Sequence, residues 1–112
     1  MKGKPDLDEL LSTIYHSLRA TRRRYVIQSL QNTDRRSITT RELARKIASL
    51  ELTVPEQQAT GEPYRNAYNA LSQTHLPTLS DAGIIIYDSD RQVVIPGIHF
   101  DVATLLIDTN TS

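Results

Sequence analysis

Apolar residues recur at helical spacing over most of the chain. An Asp-x-x-Glu capping pattern at Asp6 and Glu9 precedes the first apolar stripe and predicts a first helix. A second helix is predicted over residues 22–31, and Ala20-Thr21 is a plausible break between the two helices. The apolar positions of these helices are Leu7, Leu10, Leu11, Ile14 and Leu18, followed by Val26, Ile27 and Leu30.

The next segment predicts a short strand that leads into a third helix. Residues 32–34 form a turn, and Ser37-Ile38-Thr39 is β-prone. Thr39 and Glu42 match a capping box, which opens a helix ending near Glu51. The residues expected to face inward from it are Leu43, Ala44, Ile47 and Leu50.

A fourth helix is predicted after a polar connection over residues 52–62. Pro63 suits its first turn, and Gly83 stops it. Pro77 lies inside the pattern and cannot donate to the carbonyl of Gln73, so a kink or a fresh turn is expected there. The positions that mark its inward face are Tyr64, Tyr68, Leu71, His75 and Leu79.

The last third of the chain predicts a hairpin and a final helix. Residues 84–87 and 92–95 are rich in β-branched side chains, and Asp88–Arg91 is the turn between them. Residues 100–108 return to helical spacing. The resulting order predicts an α+β fold, namely one winged helix-turn-helix domain over residues 1–112. Its core would span about residues 20–96, with an extra N-terminal helix and a C-terminal helix.

The outward face of the fourth helix carries side chains that suit a DNA groove. Arginine can pair with guanine, asparagine and glutamine can pair with adenine, and serine can bond a base or a phosphate. An ordinary solvated polar face is the alternative, although such a face usually holds more Glu and Lys. The candidate base-reading residues are Arg65, Asn66, Asn69, Ser72 and Gln73.

Candidate phosphate-binding residues lie on the second and third helices. Three cations, Arg22, Arg23 and Arg24, fall in the first turn of a helix, where the dipole favours anions. An external phosphate would relieve this conflict, and salt bridges or solvent are the alternative. Thr40 and Arg41 open the third helix, an end that commonly meets the DNA backbone. Further cations that could reach phosphate are Arg35, Arg36, Arg45 and Lys46.

The predicted wing has two possible uses. Its turn offers Arg91, but Asp88 and Asp90 would repel a phosphate backbone. Either Arg91 alone reaches the minor groove, or the wing stays off the DNA and contacts protein.

The charge of the chain is balanced overall but unevenly distributed. Residues 1–46 hold eleven of the thirteen Lys and Arg with five acids, whereas residues 47–112 hold two Arg with eight acids. This asymmetry suggests an anionic partner for the first half, and pairing between the halves is the alternative. Cysteine is absent, and no apolar run is long enough to span a membrane. Residues 1–6 do not resemble a signal peptide, so the expected compartment is the cytoplasm.

The sequence gives no pattern for catalysis or metal binding. His16, His75 and His99 lack metal-ligand spacing, and His75 is expected to be a core histidine. There is no nucleophile–base arrangement and no phosphate-binding glycine loop. We therefore expect neither an enzyme nor a cofactor.

Three stretches resemble a family of small winged-helix proteins from haloarchaea and their viruses. They are residues 22–26, residues 40–44 and residues 69–84 closing on Tyr87-Asp88, and the resemblance covers about residues 9–95. Its most specific block is residues 74–88, and the spacing of Leu76, Leu79 and Gly83-Ile84 is shared more loosely with arsenic-resistance and multiple-antibiotic-resistance repressors. The resemblance implies a DNA-binding transcriptional protein. The chain departs from this family at Ala20-Thr21, where members usually have Asn-Pro or a similar start. Its neutral charge also differs from the strongly acidic character that is usual for proteins of extreme halophiles.

These observations lead to a functional hypothesis. We expect a sequence-specific DNA-binding transcriptional regulator, most simply a dimeric repressor of double-stranded DNA targets. The alternative is a protein-interaction module on a winged-helix scaffold, whose acidic wing could mimic DNA or serve a co-regulator. The apolar residues expected at a homodimer interface, within residues 6–18 and 99–108, are Leu7, Leu10, Leu11, Ile14, Leu18, Phe100, Leu105 and Leu106.

Overall fold

A computed structural model describes residues 6–110, with side chains to residue 108. The expectation about a signal peptide falls largely on residues 1–5, which lie outside the described range. The elements are α1 (Leu7–Ser17), α2 (Thr21–Gln31), β1 (Ile38–Thr39), α3 (Thr40–Leu52), a 3₁₀ turn (Glu56–Gln58), α4 (Glu62–Ala70), a π-helical turn (Leu71–His75), α5 (Leu76–Asp81), β2 (Ile85–Asp88), β3 (Val93–Pro96) and α6 (Phe100–Asn110).

The first three helices begin where the sequence predicts. The side chain of Asp6 accepts a hydrogen bond from the Glu9 amide at 2.8 Å, which caps α1. The predicted capping box of α3 is confirmed, because Thr39 Oγ1 accepts from the Glu42 amide and the Glu42 carboxylate accepts from the Thr39 amide. α3 ends at Leu52, where Thr53 adopts a left-handed conformation.

Leu50 corrects the predicted inward face of α3. Its side chain is 55% exposed, whereas Leu43 and Ile47 are fully buried. At about 100° per residue, Leu50 lies roughly 90° from the centre of the face formed by the buried residues, so its side chain leaves the core. The buried face of α3 instead includes Ala48.

α4, the π-helical turn and α5 form one continuous helix, hereafter the 62–81 helix, because the backbone stays helical at both junctions. The amide of Leu76 donates to the carbonyl of Leu71, five residues earlier. In an uninterrupted α-helix Leu71 and Leu76 would point about 140° apart. The π turn acts as a one-residue insertion and brings both onto the core face, where they are fully buried with Leu79. The predicted interruption near Pro77 therefore takes the form of a π turn, and Leu76 rather than His75 occupies the core position.

Gly83 ends the 62–81 helix as predicted. Its φ is +75°, and the amides of Gly83 and Ile84 donate to the carbonyls of Ser80 and Leu79, both at 3.0 Å. This is the Schellman arrangement, which requires a left-handed residue. A Cβ at Gly83 would also lie 2.8 Å from Cδ2 of His99.

The strands of the described region form one small antiparallel sheet in the order β1-β3-β2. Ile38 pairs with Val94, and Ile86 pairs with Ile95. Both hairpin strands lie within one residue of their predicted positions. The fold is therefore α+β, and its element order and sheet are compatible with a winged helix.

The core corrects part of the predicted dimer interface. Ile14 and Leu18 are buried within the single chain, in one cluster with residues of α2, α3 and α6, so they cannot form an intersubunit surface. Leu10, Phe100 and Leu106 pack partly against the same cluster. The predicted interface residues that remain exposed are Leu7, Leu11 and Leu105.

Candidate nucleic-acid interface

The outward face of the 62–81 helix presents four polar side chains to solvent. Arg65 and Asn66 lie in its first turns, and Asn69 and Gln73 follow at intervals of four residues. No carboxylate occurs between Glu62 and Asp81. The inward face is held by Ala67, Leu71, Leu76 and Leu79, which are fully buried. This packing fixes which side chains face outward.

Ser72 does not belong to the outward face. Its residue is only partly exposed, and its Oγ is buried without a hydrogen-bond partner in the described part of the chain. Ser72 lies inside the π turn. The prediction that it contacts a base or a phosphate is therefore corrected.

A cation–π contact connects α3 to the start of the 62–81 helix. The guanidinium carbon of Arg45 lies 5.9 Å from the ring centroid of Tyr64, which in turn packs against Tyr68. Tyr64 immediately precedes Arg65. Arg41 is exposed one turn before Arg45 on α3 and has no ion-pair partner among the described residues. Arg41, Arg45 and Arg65 therefore place cations on both sides of this helix–helix contact.

A groove of about 750 Å³ lies between α2 and α3 on the side of Arg41 and Arg45. Two of the cations on its walls are neutralised. Arg35 bonds Glu42, and Lys46 Nζ lies 3.5 Å from an oxygen of Glu56. The Arg35 contact helps to lower the pKa of Glu42, as do its bonds to Thr39. Arg41 and Arg45 are the groove cations that remain available to an anion.

Thr40 cannot offer its hydroxyl to DNA. The residue is fully buried, its Oγ1 has no hydrogen-bond partner in the described region, and its amide donates to the carbonyl of Gln92 at 3.0 Å. The neighbouring capping residue Thr39 points its hydroxyl to Glu42, and the helical turn that follows directs Thr40 inward. The predicted phosphate contact through Thr40 is wrong.

The run from Arg22 to Arg24 is used mainly inside the protein. Arg22 donates to both carboxylate oxygens of Glu51. Arg24 donates to the carbonyls of Leu18 and Arg19, which caps the C-terminal end of α1. The Nε of Arg23 is buried without a partner in the described part of the chain. The salt-bridge alternative therefore applies to Arg22, and Arg24 is a capping residue.

The charge of Arg22 also acts on His75. Burial lowers the pKa of His75, and the nearby charges of Arg23 and Arg22 lower it further. The hydrogen bonds between Arg22 and Glu51 lower the pKa of Glu51 and raise the pKa of Arg22. Part of the charge asymmetry is thus resolved by pairing between the two halves of the chain, at Arg22–Glu51 and Lys46–Glu56.

The hairpin turn is organised by its own carboxylate. Oδ1 of Asp88 accepts hydrogen bonds from the amides of Asp90 and Arg91, both at 3.1 Å. Arg91 is exposed, with its Nε 4.0 Å from Oδ2 of Asp88. Both uses of the wing stay predictions. The exposed cross-strand pair of Ile86 and Ile95 on this hairpin gives it an apolar side that the sequence did not single out.

None of the helices within residues 6–110 is long and apolar enough to cross a membrane. The same residues contain no group of three or more His, Asp or Glu side chains that could hold a metal ion.

Sequence reasoning missed two features of this site. The Arg45–Tyr64 contact has no local signal, because the two residues lie on different helices. The π turn does have a signal, which is the five-residue spacing between the buried Leu71 and Leu76.

Comparison with known proteins identifies a family. A family model described as a domain of unknown function (DUF7344) matches residues 15–95. No curated protein and no solved structure matches the chain.

Proposed function

Starting from the fact that this chain belongs to the DUF7344 family, whose function is unknown, we propose that it is a sequence-specific DNA-binding transcriptional regulator with a winged helix-turn-helix fold. It acts without catalysis, as a homodimeric repressor that blocks access to a promoter. This function fits a protein of the cytoplasm.

One observation carries the proposal, which is the composition of the outward face of the 62–81 helix. Arg65, Asn69 and Gln73 are exposed, and no carboxylate lies between Glu62 and Asp81. A helix face that only contacts water has no reason to exclude carboxylates, because Glu and Lys are better helix formers than Asn. A face that binds in a DNA groove must exclude carboxylates, because they repel the phosphates on either side of the groove.

The residues divide into two roles in this proposal. Arg65 pairs with guanine, and Asn69 and Gln73 pair with adenine, with Asn66 beside them in the major groove. Arg41 and Arg45 bind phosphate and fix the register of the helix. The stacking of Arg45 over Tyr64 supports this arrangement, because it ties the phosphate-binding helix to the base-reading helix.

The resemblance to haloarchaeal and viral proteins adds a condition. Phosphate contacts lose their driving force as salt rises, because less is gained from counterion release. A protein from such a source needs base contacts and two linked half-sites to bind at molar salt. The uncharged Asn69 and Gln73 suit that environment.

A second candidate function is supported by the hairpin. Ile86 and Ile95 form an exposed apolar pair next to the acidic turn of Asp88 and Asp90. Such a surface suits a protein partner, in which case the winged helix is a scaffold for a co-regulator or a DNA mimic.

Fluorescence anisotropy tests the first candidate against the second. The purified protein is titrated onto labelled DNA from upstream of its own gene, with scrambled DNA of equal composition as competitor, across a salt series. Preferential binding supports the regulator, and the salt slope counts the phosphates contacted. Absence of DNA binding at low salt refutes the regulator and favours a protein partner that binds the hairpin. A pull-down with the wild-type protein, and with Ile86→Lys as the control, would then identify that partner.

A further inference from the structure

Helix α1 carries an apolar stripe that the described part of the chain leaves uncovered. Leu7 is 67% exposed, Leu11 36% and Tyr15 54%. These residues are four apart, so their side chains follow one line along the helix. The stripe lies beside the buried face of Ile14 and Leu18 rather than opposite to it, which makes it an extension of the core onto the surface.

We propose that this stripe docks a second copy of the chain, with the two α1 helices antiparallel about a twofold axis. A twofold interface is self-complementary, so each feature must find its match on the same surface. Pairing about Leu11 sets Leu7 against Tyr15 of the partner subunit. This match uses the whole stripe of both copies.

The charges beside the stripe fit an antiparallel second copy. Asp8 borders its N-terminal end, and Arg19 follows its C-terminal end. Both are exposed, and neither has an ion-pair partner in the described region. In the reversed partner helix, Arg19 of the partner subunit lies at the same end of the interface as Asp8, offset by five residues or about 7.5 Å along the helix axis, twice per dimer. A parallel pair would instead bring like charges together.

The position of α1 leaves the base-reading end free. Thr13 and His16 of α1 line a groove together with Thr78 and Asp81, at the C-terminal end of the 62–81 helix. Arg65 lies about 24 Å along that helix from Asp81, at 1.5 Å per residue. This part of the inference rests on the proposed function, because it allows one dimer to present two base-reading helices to two half-sites.

Sedimentation equilibrium of the purified chain, without DNA, tests the interface. We expect a dimer at about 100 µM. Asp8→Arg and Arg19→Asp should each raise the dimer dissociation constant about tenfold, because each places like charges together twice, and the double variant should restore it. Leu7→Glu should weaken the dimer by at least a similar factor. Its matched control is Ile86→Glu on β2, since Ile86 is 55% exposed and lies outside both segments predicted to form the homodimer interface.

The outcomes separate the interface from the function. A monomer at this concentration, a double variant without rescue, or an Ile86→Glu effect equal to that of Leu7→Glu would each overturn the proposed surface. Circular dichroism confirms that each variant is folded. A dimer that binds no DNA would overturn the proposed function and leave the interface standing.

Discussion

Arg22 and Glu51 form a bidentate ion pair, in which Nε and Nη2 of Arg22 each lie 2.8 Å from a carboxylate oxygen of Glu51. The pair joins the first turn of α2 to the end of α3. Arg22 is a cation at a helix N-terminus, where the helix dipole disfavours positive charge. The carboxylate of Glu51 compensates for this unfavourable interaction, so no external phosphate is required.

Replacement of Glu51 by Gln tests the contribution of this pair to the pH dependence of the free energy of unfolding. The pKa of the Glu51 carboxyl lies below its ordinary value of 4.5, so the folded state binds fewer protons than the unfolded state near that pH. The stabilisation is present above pH 4.5 and is lost as pH falls through the lower, folded-state pKa. Because the Glu51 side chain is 38% exposed, solvent screening limits the expected loss at pH 7 to about 0.5–1 kcal/mol.

Urea unfolding of the wild type and Glu51→Gln at several pH values measures this effect. The difference between them should shrink from neutral pH toward pH 3. Glu56→Gln is the control, because its contact with Lys46 is longer and more exposed, and its effect should be smaller. A Glu51→Gln difference that does not change with pH would contradict the interpretation.

Adjacent threonines should respond oppositely to the same substitution. Thr40→Val removes a buried hydroxyl that has no partner in the described region, so stability should stay unchanged or rise by up to about 1 kcal/mol. Thr39→Val removes the capping-box acceptor and should cost about 1 kcal/mol. Chemical denaturation of both variants decides the matter, and DNA affinity should survive Thr40→Val. Equal losses from the two would show that the Thr40 hydroxyl contributes a bond.

Deletion of Thr74 should be tolerated better than deletion of Asn69. Thr74 is an exposed residue of the π turn, and its removal leaves Leu71 and the following leucine four apart, as a regular α-helix requires. Deletion of Asn69 rotates the start of the helix by about 100° against the core. We expect thermal unfolding to show a loss of about 2 kcal/mol or less for the first deletion and at least about 4 kcal/mol for the second. Similar losses would mean that the π turn is not simply an inserted residue.

Asn69→Ala and Gln73→Ala should remove site preference while general DNA affinity remains. Loss of one bidentate base contact costs about 1–3 kcal/mol, or roughly 5- to 150-fold in specific binding. Gln57→Ala, an exposed amide of the 3₁₀ turn, is the matched control and should change neither quantity. Competition anisotropy with specific and scrambled DNA makes the comparison. An equal loss on both DNAs would rule out base reading by these residues.

Local signals were sufficient to predict the order of elements. The Thr39–Glu42 box, Gly83 and the β-branched hairpin each act within a few residues, so their conformations follow from neighbouring side chains. The outward position of Asn69 and Gln73 followed from helical periodicity in the same way.

Features that depend on distant neighbours could not be predicted. Arg22 and Glu51 lie 29 residues apart in sequence, and nothing near either residue indicates the pairing. The inward direction of Thr40 depends on how α3 meets Gln92, and the exposure of Leu50 depends on the width of the buried face. Tertiary packing decided these positions, so the predicted phosphate contacts were the least accurate part of the sequence interpretation.

The pairing of Ile38 with Val94 has a consequence for how the chain folds. The two residues enclose α3, the 62–81 helix and the first hairpin strand, so β1 gains its partner only after that whole loop is closed. Loop closure lowers chain entropy before the pairing returns any stability, and contacts of long sequence separation slow folding. We therefore expect this pairing to form late in folding, and a ribosome must release residues beyond Val94 before the strand at Ile38 can be completed.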